Sequence, residues 1–455
     1  MKRKSRRGAD PIERQMELAL NPGAFIADGA CFSFVSGLDD VAAAVGKLTR
    51  TDPVRATALY ETFLAGCYQK AEELDDSSGS FGQFVGDLIC GWIKARQASG
   101  ADPDETAARL LAWTDDDPYG FCYQIEKDAA KAFDKAGLAA FERQIRARFE
   151  AARTAKPTPG TPLGHQPEYL VRRYSEALRT LYLTRRDVAA YVALTTQTGL
   201  TAQDCQALAT MLMTRRKPDE ALAWAERGIT LDRENPHGWT KAGYVLTQLH
   251  RELLTRLGRG NQAIEAAWAD FREDPDKYSY ADLMKLVPKT ERKAWHEKAI
   301  DAAKGSDLNS LIELFIATKE MERLAELVRG ATDEALEQVS HYATEPAAKK
   351  LEKAHPSLAA RLWRAQGMRI VNGAKSKYYD AALSNFERAR RCYERAGLAG
   401  EWTDTVRHMR ASHHRKTGFM SRFEALAAGP SRGGEPSFLD RAKKRWGARH
   451  GRDDS

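Results

Sequence analysis

The stretch Met211-Leu-Met-Thr214-Arg215 ends an apolar helical run with a threonine and a cation, and related segments recur along the chain. The others read Leu181-Tyr-Leu-Thr184-Arg185, Leu253-Leu254-Thr255-Arg256 and Phe315-Ile-Ala-Thr318-Lys319. An alanine that opens a second apolar stripe follows each threonine within five to eight residues: Ala189, Ala221, Ala263 and Ala325. Such recurrence is typical of stacked helix–turn–helix units, which cannot bury their apolar faces alone. We call these the Thr–cation segments, and they predict an α-solenoid.

Small residues suggest the length of one unit. Ala209, Ala221 and Ala225 each have an alanine 32 residues earlier, at positions 177, 189 and 193. This spacing is close to the period of about 34 residues in tetratricopeptide repeats. We therefore expect tetratricopeptide-like hairpins, with these alanines where paired helices approach closely.

The whole chain reads as helical, because Ala, Leu, Arg and Glu dominate and strand-like alternation is nearly absent. Asp52-Pro53 and Asp102-Pro103 are typical helix starts. Four prolines and two glycines between Lys156 and Pro167 indicate a linker. The predicted fold is all-α, an N-terminal helical domain followed by a tetratricopeptide-like α-solenoid. The predicted divisions are a basic tail (1–10), the helical domain (11–153), a Pro-rich linker (154–167), the solenoid (168–428) and a second basic tail (429–455).

Composition narrows the class of protein. The chain has 455 residues, of which 43% are hydrophobic and 29% charged, which suits a folded, soluble protein. No apolar run reaches the roughly 18 residues of a membrane span, and no apolar stretch of signal-peptide type follows the basic N-terminal residues. The six cysteines form no Cys-x-Cys or Cys-x-x-Cys pair, so we expect free thiols. These features predict a cytoplasmic protein without a membrane partner.

The cations of the Thr–cation segments have two interpretations. A cation near a helix C-terminus interacts favourably with free carbonyls and the helix dipole, and most such charges are only solvated. In a solenoid, however, equivalent positions lie along one edge, so they could form a basic ridge that binds an acidic peptide or a phosphate backbone. The predicted ridge comprises Arg185, Arg186, Arg215, Arg216, Lys217, Arg256, Arg259 and Lys319.

Two acidic turns are further candidate sites. Asp75-Asp76-Ser77-Ser78-Gly79-Ser80 could hold a hard cation, but we expect Ser78 or Ser80 to cap the helix that follows. Asp115-Asp116-Asp117-Pro118-Tyr-Gly120 could pair carboxylates for acid–base chemistry, although a turn beside an amphipathic helix is sufficient explanation.

A metal site near the C-terminus is not expected. His408 and His413 lie five residues apart, about 140° around a helix, and so face different ways. His413 shares the apolar stripe of Trp402, Val406 and Met409, which favours a packed histidine.

Several stretches carry a resemblance to a known family. The string from Glu73 to Gly82 resembles an Asp-Asp-Ser-x-Gly turn of a bacterial helical-repeat family of unknown function. Tyr378-Tyr379-Asp-Ala381-Ala-Leu383 and His413-His414-Arg415-Lys416 resemble the helical region of bacterial proteins that carry a SWIM zinc finger, and residues 168–330 are similar to the middle of those proteins. The finger itself needs a Cys-x-Cys pair and a Cys-x-His pair, which this sequence lacks. The resemblance therefore implies a helical body without the finger, and it assigns no residue roles.

The sequence contains no Gly-rich phosphate loop, nucleophile elbow or His-Glu-x-x-His motif. We therefore expect no enzymatic activity and no cofactor. The predicted function is a protein-interaction scaffold that binds a peptide or protein on the solenoid surface. The alternative is nucleic-acid association through the basic ridge and tails.

Elemental analysis tests the expectation that this chain has no zinc site of the SWIM type. Protein purified without an affinity tag should hold far less than one zinc per chain, because the closely placed soft ligands of a structural zinc site are missing. Stoichiometric zinc that is lost on replacing His408 or His413 would contradict this prediction.

Overall fold

Helices begin where an aspartate precedes a proline, as the sequence predicts. The computed structural model describes residues 10–157, 166–234, 242–429 and 442. Asp52 accepts a hydrogen bond from the Arg55 amide at 3.2 Å, and Asp102 accepts one from the Glu105 amide at 2.8 Å. Each aspartate thus satisfies a backbone N–H that the first helical turn leaves unpaired. Both predicted helix starts are confirmed.

The all-α prediction is confirmed, since 81% of the described residues are helical and none of them lies in a strand. Contacts between helices divide the chain into two compact units, residues 1–257 and 258–455. The helices of the first unit are α1 Pro11–Leu20, α2 Asp28–Thr51, α3 Pro53–Lys70, α4 Ser80–Ala98, α5 Pro103–Asp115, α6 Ile125–Ala132, α7 Lys135–Thr154, α8 Pro167–Arg185, α9 Val188–Thr198, α10 Ala202–Thr214, α11 Pro218–Glu234 and α12 Gly243–Arg256.

The second unit contains eleven described helices, and each packs on helices close to it in sequence. They are α13 Gly260–Glu273, α14 Lys277–Leu286, α15 Arg292–Ala302, α16 Leu308–Thr318, α17 Met321–Gly330, α18 Asp333–Gln338, α19 His341–Leu351, α20 Pro356–Asn372, α21 Tyr379–Arg395, α22 Ala399–His413 and α23 Thr417–Ala428. α16 contacts α17 and α19, and α20 contacts α19 and α21. Cations of later helices also bond the C-terminal carbonyls of earlier ones: Arg361 donates to the carbonyls of Val328 and Ala331 at 2.7 and 2.6 Å. Part of the cationic charge is therefore used to cap helix ends.

The division of the chain differs from the predicted one. One hydrophobic core runs from Met16 in α1 to Met211 in α10, and α7 packs directly on α8. The predicted linker at 154–167, of which 158–165 lie outside the described residues, therefore joins helices of a common core. The predicted tails also lie outside the described part of the chain, apart from Asp10, Gly429 and Ala442.

α2 is the only helix among the described residues that is long and apolar enough to cross a membrane by length and composition. The buried share of its apolar window is 22%. Cys31, Leu38, Val41 and Val45 of α2 are buried in the first unit, and the helix contacts α3 and α4.

The Thr–cation segments are helix endings. In all four, the threonine hydroxyl donates to a carbonyl three or four residues earlier, at 2.7–2.9 Å. At three of these ends a cation takes the left-handed position that usually favours glycine: Arg186, Arg216 and Lys319, with φ of 56°, 59° and 64°. The next amide then bonds back to the last turn, as Asp187 does to the carbonyl of Tyr182 at 2.8 Å and Lys217 to that of Leu212 at 3.0 Å. These reversals let the second helix of each hairpin begin at once.

The reversals give a repeat offset of 30 residues, from Arg186 to Arg216, in place of the predicted 32. At this offset buried positions coincide, for example Leu178 with Leu208 and Tyr191 with Ala221. Ala189 and Ala193, the predicted equivalents of Ala221 and Ala225, are exposed. The prediction that they pack at the helix contact is wrong, because the left-handed turn residue sets the register of the second helix.

Substitutions at Ala221 and Ala189 distinguish the two registers. Ala221→Leu should lower the free energy of unfolding by about 1–3 kcal/mol, because the side chain is fully buried and a larger one overpacks the hairpin. Ala189→Leu is the matched control and should change stability by less than about 0.5 kcal/mol, since the site is exposed. Equal losses in urea unfolding would restore the 32-residue offset.

Candidate functional site

The first acidic turn is held by Asp76, which caps α4. Its carboxylate accepts hydrogen bonds from the amides of Phe81 at 2.9 Å and Gly82 at 2.8 Å. The prediction that Ser78 or Ser80 caps this helix is therefore wrong. Gly79, at φ 73°, turns the chain so that Asp76 reaches the helix end, and α4 itself begins at Ser80.

The other groups of this turn are also engaged. Asp75 accepts bonds from the amide and hydroxyl of Ser77 at 3.1 and 2.5 Å. The Cys31 thiol lies 3.5 Å from Asp76 Oδ1, and burial, then the nearby Asp76 charge, raises the pKa of this thiol. Both carboxylates therefore act within the turn, which accounts for them without a hard cation.

The second acidic turn is similarly fixed. Asp117 accepts from the Cys122 amide at 2.6 Å and from the Tyr68 hydroxyl at 3.1 Å. Asp115 pairs with Arg148 at 2.6 Å and with Arg173 at 3.3 Å. These partners give Asp115 and Asp117 separate structural roles, so the two do not form the carboxylate pair that acid–base chemistry would need.

The structure brings the two turns together at one groove, although they are about 40 residues apart in sequence. The groove encloses about 580 Å³. Asp76 and Gly79 of the first turn and Tyr119 and Gly120 of the second line it. Tyr119 donates to Glu72 at 3.0 Å, and this hydrogen bond raises the pKa of Tyr119.

Alternating aromatic residues form one side of this groove: Tyr119, Phe121 and Tyr123. Phe121 packs edge-on against Tyr68 and Phe81, with ring centroids 5.1 and 5.6 Å away, and this anchors the segment. Tyr119 is 40% exposed and Tyr123 is 81% exposed. The packing of Phe121 thus anchors a segment that presents two tyrosine rings to solvent.

A second depression, of about 960 Å³, lies on the other side of this aromatic segment and shares Gly120 and Tyr123 with the first. α8 supplies its other wall, from Tyr169 to Thr180. The half-buried Glu126 lies here, and burial raises the pKa of its carboxyl.

Glycines form the floor of the groove. A glycine inside a helix is less stable than alanine by about 1 kcal/mol, so it usually needs a packing reason. Gly91 of α4 has one, because an added Cβ would lie 2.5 Å from Tyr60. Gly86 has no such packing reason, because a Cβ added there would meet open space. A Cβ added at Gly82 would have Asp76 as its nearest neighbour, at 3.5 Å. Packing therefore does not explain the bare backbone at Gly82 and Gly86, where it lines the groove.

The residues of the predicted basic ridge are all exposed, but they do not form one described surface. Arg259 and Lys319 belong to the second unit, and the other six belong to the first. Arg185 pairs with Glu142, and Lys217 pairs with Glu220 at 2.8 Å. The left-handed backbone of Arg186, Arg216 and Lys319 shows that these three ridge residues form turns between helices. Ligand binding by the ridge stays a prediction.

No group of three or more His, Cys, Asp or Glu within the described ranges is placed to hold a metal ion. The rings of His408 and His413 lie 6.5 Å apart, and burial, then the nearby Lys416, lowers the pKa of His413.

Replacing Asp76 tests whether this residue of the first acidic turn caps α4. Asp76→Ala should cost about 1–2 kcal/mol, because the amides of Phe81 and Gly82 lose their acceptor. Ser80→Ala is the matched control and should be close to neutral in thermal unfolding. A larger loss for Ser80→Ala than for Asp76→Ala would contradict the assignment.

The sequence signals for this site were the alternating aromatics of Tyr119-Gly-Phe-Cys-Tyr123 and the paired glycines Gly82 and Gly86. Neither pattern indicates a site by itself, because each alone is compatible with an ordinary turn or helix. Only the fold places them against each other.

Comparison with known proteins shows which family this chain belongs to. No curated protein matches this chain. Among solved structures, a circular tandem repeat protein with novel repeat topology and enhanced subunit contact surfaces is 11% identical, with 91% of this chain and 97% of that chain covered. Its TM-score of 0.19 is too low for any argument about fold or function. The family model that matches is a family of unknown function, DUF6880, and it spans residues 15–422 without giving a link to SWIM proteins. Because the match covers most of its length, this chain belongs to the DUF6880 family.

Proposed function

We propose that this chain is a non-enzymatic scaffold that binds a peptide or protein partner on its helical surface. The observation that carries the proposal is the aromatic segment between two depressions, with Tyr123 81% exposed. Tyrosine is enriched at protein interfaces, since it supplies a large contact area with few rotatable bonds.

The chemistry around the groove supports binding over catalysis. Asp76 and Asp117 accept hydrogen bonds from backbone amides, so they hold the two turns in place. The six cysteines are free thiols, in keeping with a reducing compartment such as the cytoplasm. If the relationship to SWIM proteins holds, partner binding would belong to the helical body that the two share.

Nucleic-acid association is the second candidate, and the distribution of charge favours it. Residues 1–9 hold five cations and no carboxylate, and residues 430–455 hold seven cations and four carboxylates. These segments together have a net charge of +8, against +7 for the whole chain, so the rest is almost neutral. A nucleic-acid partner would therefore bind the terminal segments, with help from the predicted ridge.

A capture experiment from a lysate of the source organism separates the two functions. The intact chain should retain a protein partner after nuclease treatment and at high salt, because an aromatic interface depends little on counterion release. Tyr123→Ala should reduce this capture. Tyr342→Ala, which removes a 75% exposed tyrosine of the second unit, is the matched control and should not.

The opposite pattern would contradict the scaffold. It consists of capture that nuclease abolishes, that falls steeply with salt and that is unchanged in Tyr123→Ala. It would favour nucleic-acid binding instead.

A further inference from the structure

We propose that the groove on the first two turns of α4 binds a lysine- or arginine-bearing segment of a partner protein. This inference rests on the proposed scaffold function and names the chemistry of its partner. Its grounds are the charge, the aromatic faces and the bare floor of the groove.

The charge of the groove is negative. Its lining includes Asp76 near the start of α4 and Asp128 of α6, and it includes no lysine or arginine. Asp128 pairs with the exposed Lys131 at 3.0 Å, and such exposed pairs are weak. Glu72 adds a third carboxylate through its hydrogen bond with Tyr119.

Neighbouring carboxylates strengthen this negative potential. Burial, and then the charges of Asp128 and Asp39, raises the pKa of Asp87 on α4. The charges of Asp39 on α2 and Asp128 on α6 thus each act on Asp87, and that of Lys94 opposes them. A cation that enters the groove would relieve this repulsion.

The aromatic side of the groove also favours a cationic ligand. Tyr119 and Tyr123 are exposed, and a guanidinium or ammonium group over such a ring is attracted to its face. The second depression differs, because Arg172, Arg173 and Arg179 line it together with carboxylates. A cationic ligand therefore prefers the first groove.

The floor sets the length of the bound segment. From Gly79 to Gly86 the helix rises about 10 Å, which matches roughly three residues of extended peptide. Gly86 lines the groove, and a Cβ added there would have no other atom within 4 Å. Gly86 can therefore be replaced to fill the groove without disturbing the fold.

The test uses the intact chain and a fluorescein-labelled peptide, Gly-Lys-Gly-Arg-Gly-Lys-Gly, in fluorescence anisotropy. Two matched peptides replace the cations with norleucine and citrulline, or with glutamate. The cationic peptide should bind, and both others should bind about tenfold more weakly or worse, because they lack the charge that the groove attracts.

Gly86→Leu should weaken binding of the cationic peptide about tenfold or more, since it occupies the floor. Its thermal midpoint should equal or exceed that of the wild type, because leucine is the better helix former. Gly400→Leu replaces an exposed helical glycine of the second unit, also facing open space, and should leave binding unchanged.

Three results with the peptide probe would overturn the proposal: equal binding of the neutral peptide, unchanged binding by a folded Gly86→Leu variant, or tighter binding after deletion of residues 1–9. The last result would assign the groove to the chain's own basic residues. If Gly86→Leu still captures the protein partner of the wild type, the groove proposal fails while the scaffold function stands.

Discussion

The packing of α7 against α8 is the interaction on which the first unit depends. Tyr182 of α8 is fully buried and donates its hydroxyl to Glu142 of α7 at 3.0 Å, while Arg185 pairs with the same carboxylate. Burial of the ring supplies the main stabilisation, about 1.5–3 kcal/mol for a large apolar side chain, and the polar contacts fix the register. Through this contact α8 forms the wall of the second depression, opposite the aromatic segment.

The local features of the fold were predictable from the sequence, because their causes are local. An Asp-Pro pair predicts a helix start, since the carboxylate and the proline both act within one turn, as at Asp52 and Asp102. The Thr–cation segments were recognised as helix ends for the same reason. The spacing of the alanines predicts a repeat of 32 residues instead of 30, because the alanines do not set the register of the hairpin. The left-handed conformation of Arg186 and Arg216 sets the register, and arginine gives little sign of that conformation.

Structural features formed by residues that lie far apart in the sequence could not be predicted from it. Aspartate and serine are both common helix-capping residues. Whether Asp76 or Ser80 caps α4 depends on how Gly79 turns the chain. The prolines between Lys156 and Pro167 predict an interruption between helices, but they cannot reveal that apolar residues of α7 and α8 enter one core. The groove needs two turns about 40 residues apart, and its glycines become informative only when the space above them is known.

The central claim is that α7 and α8 belong to one cooperative core, and native-state hydrogen exchange tests it most directly. Amides of Lys135–Thr154 and Pro167–Arg185 should open with the same free energy and the same dependence on denaturant, because the two helices lose their packing together. Two separate openings, with α8 exchanging at low denaturant while α7 stays protected, would contradict the account and restore a domain boundary at residues 154–167.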